Sequence, residues 1–238
     1  MLVSPPEQSG RNSMKSQWFN GSNVGDLLAP LVLTGLTGET VVWSDQSPRW
    51  LVSGSILSMA QDHDTLFGVG SFERLDWMRA PQDLRILLVH GPRTAAHLGI
   101  TCEIYGDCRL LMPLVYRPAQ QEIQYELGIV PHYKSLEQTP VPPGARLISP
   151  GLPPRQFIEA LLTCRRVASS SLHGIILAEA YGVPATRMQY CVSPRDFDFK
   201  HADYYEGTGR SLPRLACLKR SPVRPRRSRL QCSTRLLN

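Results

Sequence analysis

The 238-residue chain has no apolar run near the roughly 20 residues that a helix needs to cross a bilayer. Its opening stretch, MLVSPPEQSGRNSMKSQ, lacks the apolar centre of a secretion signal. Together these absences point to a cytoplasmic protein, with contact at the inner face of the membrane left open. The six cysteines (Cys102, Cys108, Cys164, Cys191, Cys217 and Cys232) contain no C-x-x-C pair, which argues against a zinc ribbon and against a secreted disulfide framework. Cys102 and Cys108 are close in sequence, but no nearby His or Cys completes a metal set. Reduced, structural thiols are expected.

Acidic residues are missing from one region only. Nine of the 26 Lys and Arg fall between Arg210 and Asn238, where there is no Asp or Glu, leaving 17 basic against 20 acidic residues before that point. The formal net charge of +6 therefore belongs to the tail, and the remainder is slightly acidic. Specific nucleic-acid binding by the folded part is not expected. The tail alone would hold polyanions without sequence preference and with steep salt dependence. It also lacks aromatic residues and sustained apolar periodicity, so residues 210–238 read as disordered. The abrupt change after FDFKHADYYEGTGRSLP is also what a shifted reading frame would produce.

Hydrophobic residues make up 42% of the chain, mostly in short runs closed by Gly or Pro. WLVSGSIL, TLFGVGS and LRILLVHGP have the form of buried parallel strands. QWFNGSNVGDLLAPLVLTGLTG reads as a short strand, a Gly/Asn turn and an apolar helix starting near Asp26. Pro30 then falls in the first turn, where a missing N–H costs little. PRTAAHLG is a short helix stopped by Gly99, and TCEIYGDCRLLMP a strand and turn. Beyond the polar connector YRPAQQEIQ, the segments YELGIVPHYKS and ARLISPG give two further strands, the first ending at His132. PRQFIEALLTC is an amphipathic helix with Phe157, Ile158, Leu161 and Leu162 along one face. RRVASSSLHG leads into a helix that ends at Gly182, with Pro184 beyond it. Strands alternating with helices predict an α/β fold with parallel sheet, in two Rossmann-like halves, 15–117 and 118–209, followed by the tail 210–238. The readable sequence offers no closing C-terminal helix to pack back on the first half.

Four small polar loops, NGSNVGD, GVGS, VHGPRT and SSSLHG, share one position, the C-terminal end of a strand, where α/β sheets bind ligands. Their backbone N–H groups can approach an anion, and in two of them a helix follows at once and adds its positive end. Arg93 and His173 stand at those helix starts. Each signal has a plain structural reading beside it: a Gly-rich turn that only turns, a solvated surface Arg, a hydrogen-bonded scaffold His. His90, His97 and His132 carry the same reservation, and His63 and His201 read as surface residues.

Taken in order, NVGDLLAPLVL, GSIL, FGVGS, VHGPRTAAHLG, YGDCRLLMP, LGIVPHY and ASSSLHGIILAEAYGVP resemble the polysaccharide pyruvyl transferase family, over roughly Trp18 to Tyr205. The last motif is the most distinctive, and the pair Gly106 and Asp107 supports it. The resemblance implies a GT-B-type protein, with two Rossmann-like domains facing across a cleft. It implies transfer of the enolpyruvyl unit of phosphoenolpyruvate to a sugar diol of a polysaccharide or lipid-linked oligosaccharide, as a ketal, with release of phosphate. Carried over by motif, Arg93 pairs with the donor's carboxylate or phosphate, and His173 contacts the phosphate or acts as acid/base. Leu172 and Gly174 shape the pocket, Ser170 or Ser171 donates hydrogen bonds, and Asn23 and Asp26 address the acceptor hydroxyls from across the cleft. His90 of VHGP stands where many relatives carry Arg, and His132 joins the set from the end of its strand. Neither an organic cofactor nor a metal is implied. Other readings remain open at this stage. A nucleotide-sugar glycosyltransferase would use the same loops for a diphosphate, a non-enzymatic polyanion or nucleic-acid binder would act through the tail, and a truncated relative would be inactive.

Overall fold

The computed structural model describes residues 13–215 apart from 20, 22, 78 and 189–193, so the expectations for the tail beyond residue 215 lie outside the described residues. Strand β1 (Ser13–Gln17) runs into helix α1 (Val24–Thr37) and on to β2 (Thr40–Trp43). With β3 (Trp50–Val52), β4 (Thr65–Val69) and β5 (Arg85–Val89) they form a five-stranded sheet in the order β2-β1-β3-β4-β5, every pair parallel. Strands β6 (Gly128–Val130), β7 (Arg146–Leu147), β8 (Val167–Ser169) and β9 (Ala185–Arg187) form a second parallel sheet, β7-β6-β8-β9. The architecture is thus mixed α/β with two parallel sheets. In each sheet the chain order reverses beside the first strand, between β1 and β3 and between β6 and β8. Connections leave such a point in opposite directions and open a crevice beyond the strand ends.

The remaining helices are α2 (Pro92–His97), α3 (Met112–Val115), α4 (Pro154–Leu162), α5 (Leu172–Ala180) and α6 (Pro194–Gly207). Helix α1 begins earlier than the sequence suggests, because Asn23 caps it by accepting from the Gly25 N–H. Pro30 consequently lies in the second turn rather than the first, and removes the N–H that would otherwise bond the Asp26 carbonyl. Val24, Leu28, Ala29, Val32 and Leu33 recur at helical spacing and are all buried.

Strict alternation of strand and helix holds better in the second sheet than in the first. From β2 to β5 the chain is connected by loops and one 3-10 turn, Leu57–Met59. A cluster of Leu51, Ile56, Leu57, Leu66 and Val69 is closed there by the loop residues Leu75, Trp77 and Leu84. The segment expected as a strand and turn after Ile100 contributes only a bridge from Tyr105 to Val89, then a 3-10 turn, Cys108–Leu111.

One cluster of buried side chains runs across the connector. Val24, Leu28 and Val32 of α1 and Met112 of α3 pack with Phe157, Ile158 and Leu161 of α4 and Leu177 of α5. A second link is α6. No returning helix is evident in the sequence, yet α6 packs against α2 in the first half. Its Asp203 accepts from the N–H groups of Arg93 (2.8 Å) and Thr94 (3.1 Å) and from the Thr94 hydroxyl (2.5 Å). The approach is so close that a Cβ on Gly91 would lie 1.9 Å from the Asp203 carbonyl oxygen. Few apolar positions mark this helix, because much of what it buries is polar: Asp203 and His201 are each 1% exposed. The surface assignment of His201 is therefore corrected. Burial pushes its imidazole down to about 3, and the neutral ring donates from Nδ1 to the Phe197 carbonyl. Arg210, expected to open the tail, belongs to the folded part, where its guanidinium pairs with Glu179 of α5 and lies over the Tyr205 ring. No helix among the described residues is long and apolar enough to cross a membrane.

Because Asp203 caps α2 and satisfies a buried hydroxyl, Asp203→Ala should cost about 2 kcal/mol of unfolding free energy, measurable by urea titration. Asp203→Asn, which keeps one acceptor, should recover part of the loss.

Candidate functional site

The reversal points of both sheets open on the same cavity, of about 310 Å³. Phe19 and Asn23 reach it after β1, Gly54 and Ile56 after β3, His132 and Lys134 after β6, and Ser171 and His173 after β8. Lys200 and Phe197 of α6 complete one side. Among the described lining residues the charged ones are Arg109, Lys134, Lys200 and one carboxylate, Asp26, with Asp107 behind the wall as the partner of Arg109.

His173, at the second position of α5, meets the start of α1. Asn23 Nδ2 donates to His173 Nδ1 at 3.1 Å, while Asn23 Oδ1 holds the Gly25 N–H at 3.3 Å. The two contacts fix the amide orientation, so Nδ1 of His173 is an acceptor and Nε2 carries the proton of the neutral ring. The imidazole sits directly on Gly25, where a Cβ would fall 2.0 Å from the ring, so only glycine admits it. Ser171 begins α5 without using its side chain as a cap, leaving that helix end to whatever occupies the cavity.

Behind this lies a buried ionic group. Arg109 Nε donates to Asp107 Oδ1 at 2.7 Å, Arg109 Nη2 donates to Oδ2, and His90 Nε2 meets Oδ2 at 2.6 Å. Arg109 is 0% exposed and Asp107 2%. Burial raises the Asp107 carboxyl, but the Arg109 charge and hydrogen bonds, with His90, outweigh it and hold the group well below the usual carboxylate range. Arg109 Nη1 is buried and has no hydrogen-bond partner among the described residues. Asp26 behaves in the opposite sense. Burial pushes its carboxyl up to about 6 against the pull of Arg109, Lys200 and the Asn23 hydrogen bond, with Asp107 adding to the rise. Burial, with Lys200 and Lys134 nearby, lowers the His132 imidazole to about 4, so this ring is neutral near pH 7. Its Nδ1 accepts the Lys134 N–H.

The structure brings together His173, Asn23, Asp26, His90, His132, Ser171 and Leu172 from the residues expected at the site. It does not bring Arg93. That guanidinium points to α6, pairs with Glu206 at 2.8 and 2.6 Å, and lies 5.8 Å from the Phe199 ring centroid. The cause is the unforeseen return of α6, which supplies a carboxylate. Ser170 and Gly174 also stay off the cavity wall. Ser170 Oγ accepts the His132 N–H, and Gly174 lets α5 press on the sheet, since a Cβ there would stand 2.5 Å from Ser169 Oγ. His90 lines the cavity as the partner of Asp107. Arg109, Lys134 and Lys200 are the residues the sequence reading missed. Arg109 was legible only as the neighbour of the Gly106 and Asp107 pair, and Lys200 had no signal apart from a helix that was not foreseen.

Among the described residues no cluster of His, Cys, Asp and Glu is placed to hold a metal ion. No family model and no solved structure matches the chain. It is 25% identical over 180 residues to an uncharacterized protein of Acanthamoeba polyphaga mimivirus, an alignment that covers 69% of this chain and 61% of that protein.

Two consequences are measurable. A carboxyl raised on folding contributes stability that is complete below its unfolded value, near 3.8, and lost as pH rises through about 6. Between pH 4 and pH 7 the wild-type chain should therefore lose about 1–2 kcal/mol relative to Asp26→Asn, allowing for solvent screening at a half-open site. In Asn23→Asp, a carboxylate replaces the donor facing His173 Nδ1. The proton should move to Nδ1 and the imidazole should titrate at higher pH, both readable from ring ¹⁵N shifts.

Proposed function

We propose that the chain is a pyruvyl transferase, moving the pyruvyl group of phosphoenolpyruvate to a hydroxyl pair of a cell-surface polysaccharide or its lipid-linked precursor, at the cytoplasmic face of the membrane. In this reading the two sheets are Rossmann-like halves of a GT-B-type arrangement. The observation that carries it is the single cavity at both reversal points, whose described lining includes Arg109, Lys134, Lys200 and the uncapped start of α5 beside Asp26. A small ligand with a phosphate and a carboxylate suits such a place. Two of the seven motifs that carry the family resemblance, NVGD and SSSLHG, contribute Asn23, Asp26, Ser171, Leu172 and His173 to its wall.

The residues divide the work as follows. The N-terminal amides of α5 and Lys134 or Lys200 receive the phosphate. His173, donating from Nε2, bonds a phosphate oxygen and stabilises the charge that grows there as the phosphate leaves. Arg109 takes the role first assigned to Arg93, that of a fixed guanidinium for the carboxylate, held rigid by Asp107. Protonation of the methylene carbon yields an oxocarbenium-like centre, which one sugar hydroxyl attacks. The second hydroxyl then displaces phosphate and closes the ketal. Phe19, Phe72 and Tyr133 stand half-exposed at the cavity, where aromatic faces can stack on sugar rings.

Incubation with phosphoenolpyruvate and candidate glycans should release phosphate and give a new ketal methyl signal by proton NMR. His173→Ala should lower turnover about 10²–10³-fold, and Gly25→Ala, which displaces the imidazole, should do nearly the same. Undiminished turnover in His173→Ala would remove that residue's role. Nucleotide release from a sugar nucleotide, with none of phosphate from phosphoenolpyruvate, would replace the proposal with a glycosyltransferase.

A further inference from the structure

Pyruvyl transfer needs a proton for carbon, and His173 is already engaged with phosphate in the reading above. Asp26 lies in the first turn of α1, inside the cavity. It is faced by Arg109 and Asp107 from the 3-10 turn, by Lys200 from α6 and by Asn23 beside it. The loop after β3 closes another side, since a Cβ on Gly54 would stand 3.6 Å from Asp26 Oδ1. Arg109 uses Nε and Nη2 on Asp107, which leaves Nη1 without a hydrogen-bond partner among the described residues. Arg109 lines the cavity, and neither a hydrogen bond nor an ion pair joins it to Asp26. A buried guanidinium nitrogen without an acceptor is costly, and a ligand oxygen entering here would relieve it.

We propose that an oxyanion accepting from Arg109 Nη1 also forces a proton onto Asp26, so that the arriving substrate loads the acid that protonates it. Two negative charges beside one buried guanidinium repel, and the carboxyl that titrates most easily yields by taking a proton. The catalytic step rests on the pyruvyl-transfer reading. Asp26 gives its proton to the methylene carbon as the carbon–carbon double bond opens, and the resulting carboxylate takes the proton of the first sugar hydroxyl as its oxygen bonds to the central carbon. The second hydroxyl's proton passes directly to a phosphate oxygen, which His173 Nε2–H holds by a hydrogen bond, and the phosphate leaves as hydrogen phosphate. One proton thus ends on carbon and one on phosphate, and Asp26 finishes protonated as it began. The carboxylate that stays on the product keeps its hold on Arg109 until release.

The test uses the full chain and sulfate, which has no titrating proton in the range. Calorimetry near pH 6.5, in buffers of different ionisation heat, should show uptake of about half a proton or more per sulfate bound. In Asp26→Asn sulfate should still bind, with uptake close to zero, and turnover of phosphoenolpyruvate should fall at least about 10²-fold. In the wild-type protein alone, a carboxyl ¹³C resonance titrating near pH 6 should move up by about one pH unit in saturating sulfate. Uptake unchanged in the variant, or a carboxyl midpoint unmoved by sulfate, overturns the inference while leaving pyruvyl transfer standing. Sulfate-linked uptake lost in the variant, in a protein that shows no turnover with phosphoenolpyruvate, keeps the charge coupling and discards the function. A failure of sulfate to bind overturns the inference, while turnover of phosphoenolpyruvate decides the function by itself.

Discussion

The Asp107 carboxylate is the constraint on which the rest of the site depends. It is buried, and an isolated charge there would be untenable. Arg109 from its own turn and His90 from the end of β5 hold it, and the Ser53 hydroxyl approaches from the end of β3. Three strand-end loops are therefore tied to one point. Removing a partner from such a buried group typically costs about 3–5 kcal/mol, so the loops cannot drift independently. The same group fixes Arg109 with Nε and Nη2 occupied and Nη1 without a hydrogen-bond partner among the described residues.

Topology does the remainder. The strand orders β2-β1-β3-β4-β5 and β7-β6-β8-β9 each reverse beside their first strand, and the crevices so formed face one another. The start of α5 and the start of α1 meet there through Asn23 and His173. This contact depends on Gly25, since any side chain at that position would occupy the space of the ring. The histidine of SSSLHG and the glycine of NVGD, far apart in the chain, are two halves of one fitted surface.

Much of this was legible from residue order. Short apolar runs closed by Gly and Pro gave β3 to β7, whereas β1 lies one strand-length ahead of the aromatic stretch expected to form it and β2 and β9 were not legible. The small polar loops marked the ends of β1, β4, β5 and β8. His173 was legible as a helix start, but Asn23, placed in a turn ahead of a helix expected near Asp26, was legible neither as the cap of α1 nor as the partner of His173. What escaped was long-range. Arg93 looked like an anion ligand because nothing in the sequence announces Glu206 as its counter-charge. Helix α6 was passed over because its buried face carries Asp203 and His201 beside Tyr204 and Tyr205, and mixed polarity of that kind has no helical stripe to detect. Arg109 escaped for a related reason. A basic residue in a turn reads as solvated unless one knows that Asp107 is buried with it.

The double attachment of α6 governs how anything enters. Asp203 secures it to the first half through α2, while Glu179 takes Arg210 just past its end. The two sheets are thus strapped together at the rear as well as joined by a common core. A hinge opening of the kind bilobed proteins use would have to tear one of those fastenings. Admission by the swing of single aromatic side chains, Phe19 or Tyr133 turning aside like shutters, asks for no such rupture. An opening of that kind would pass compact or slender ligands more readily than bulky ones.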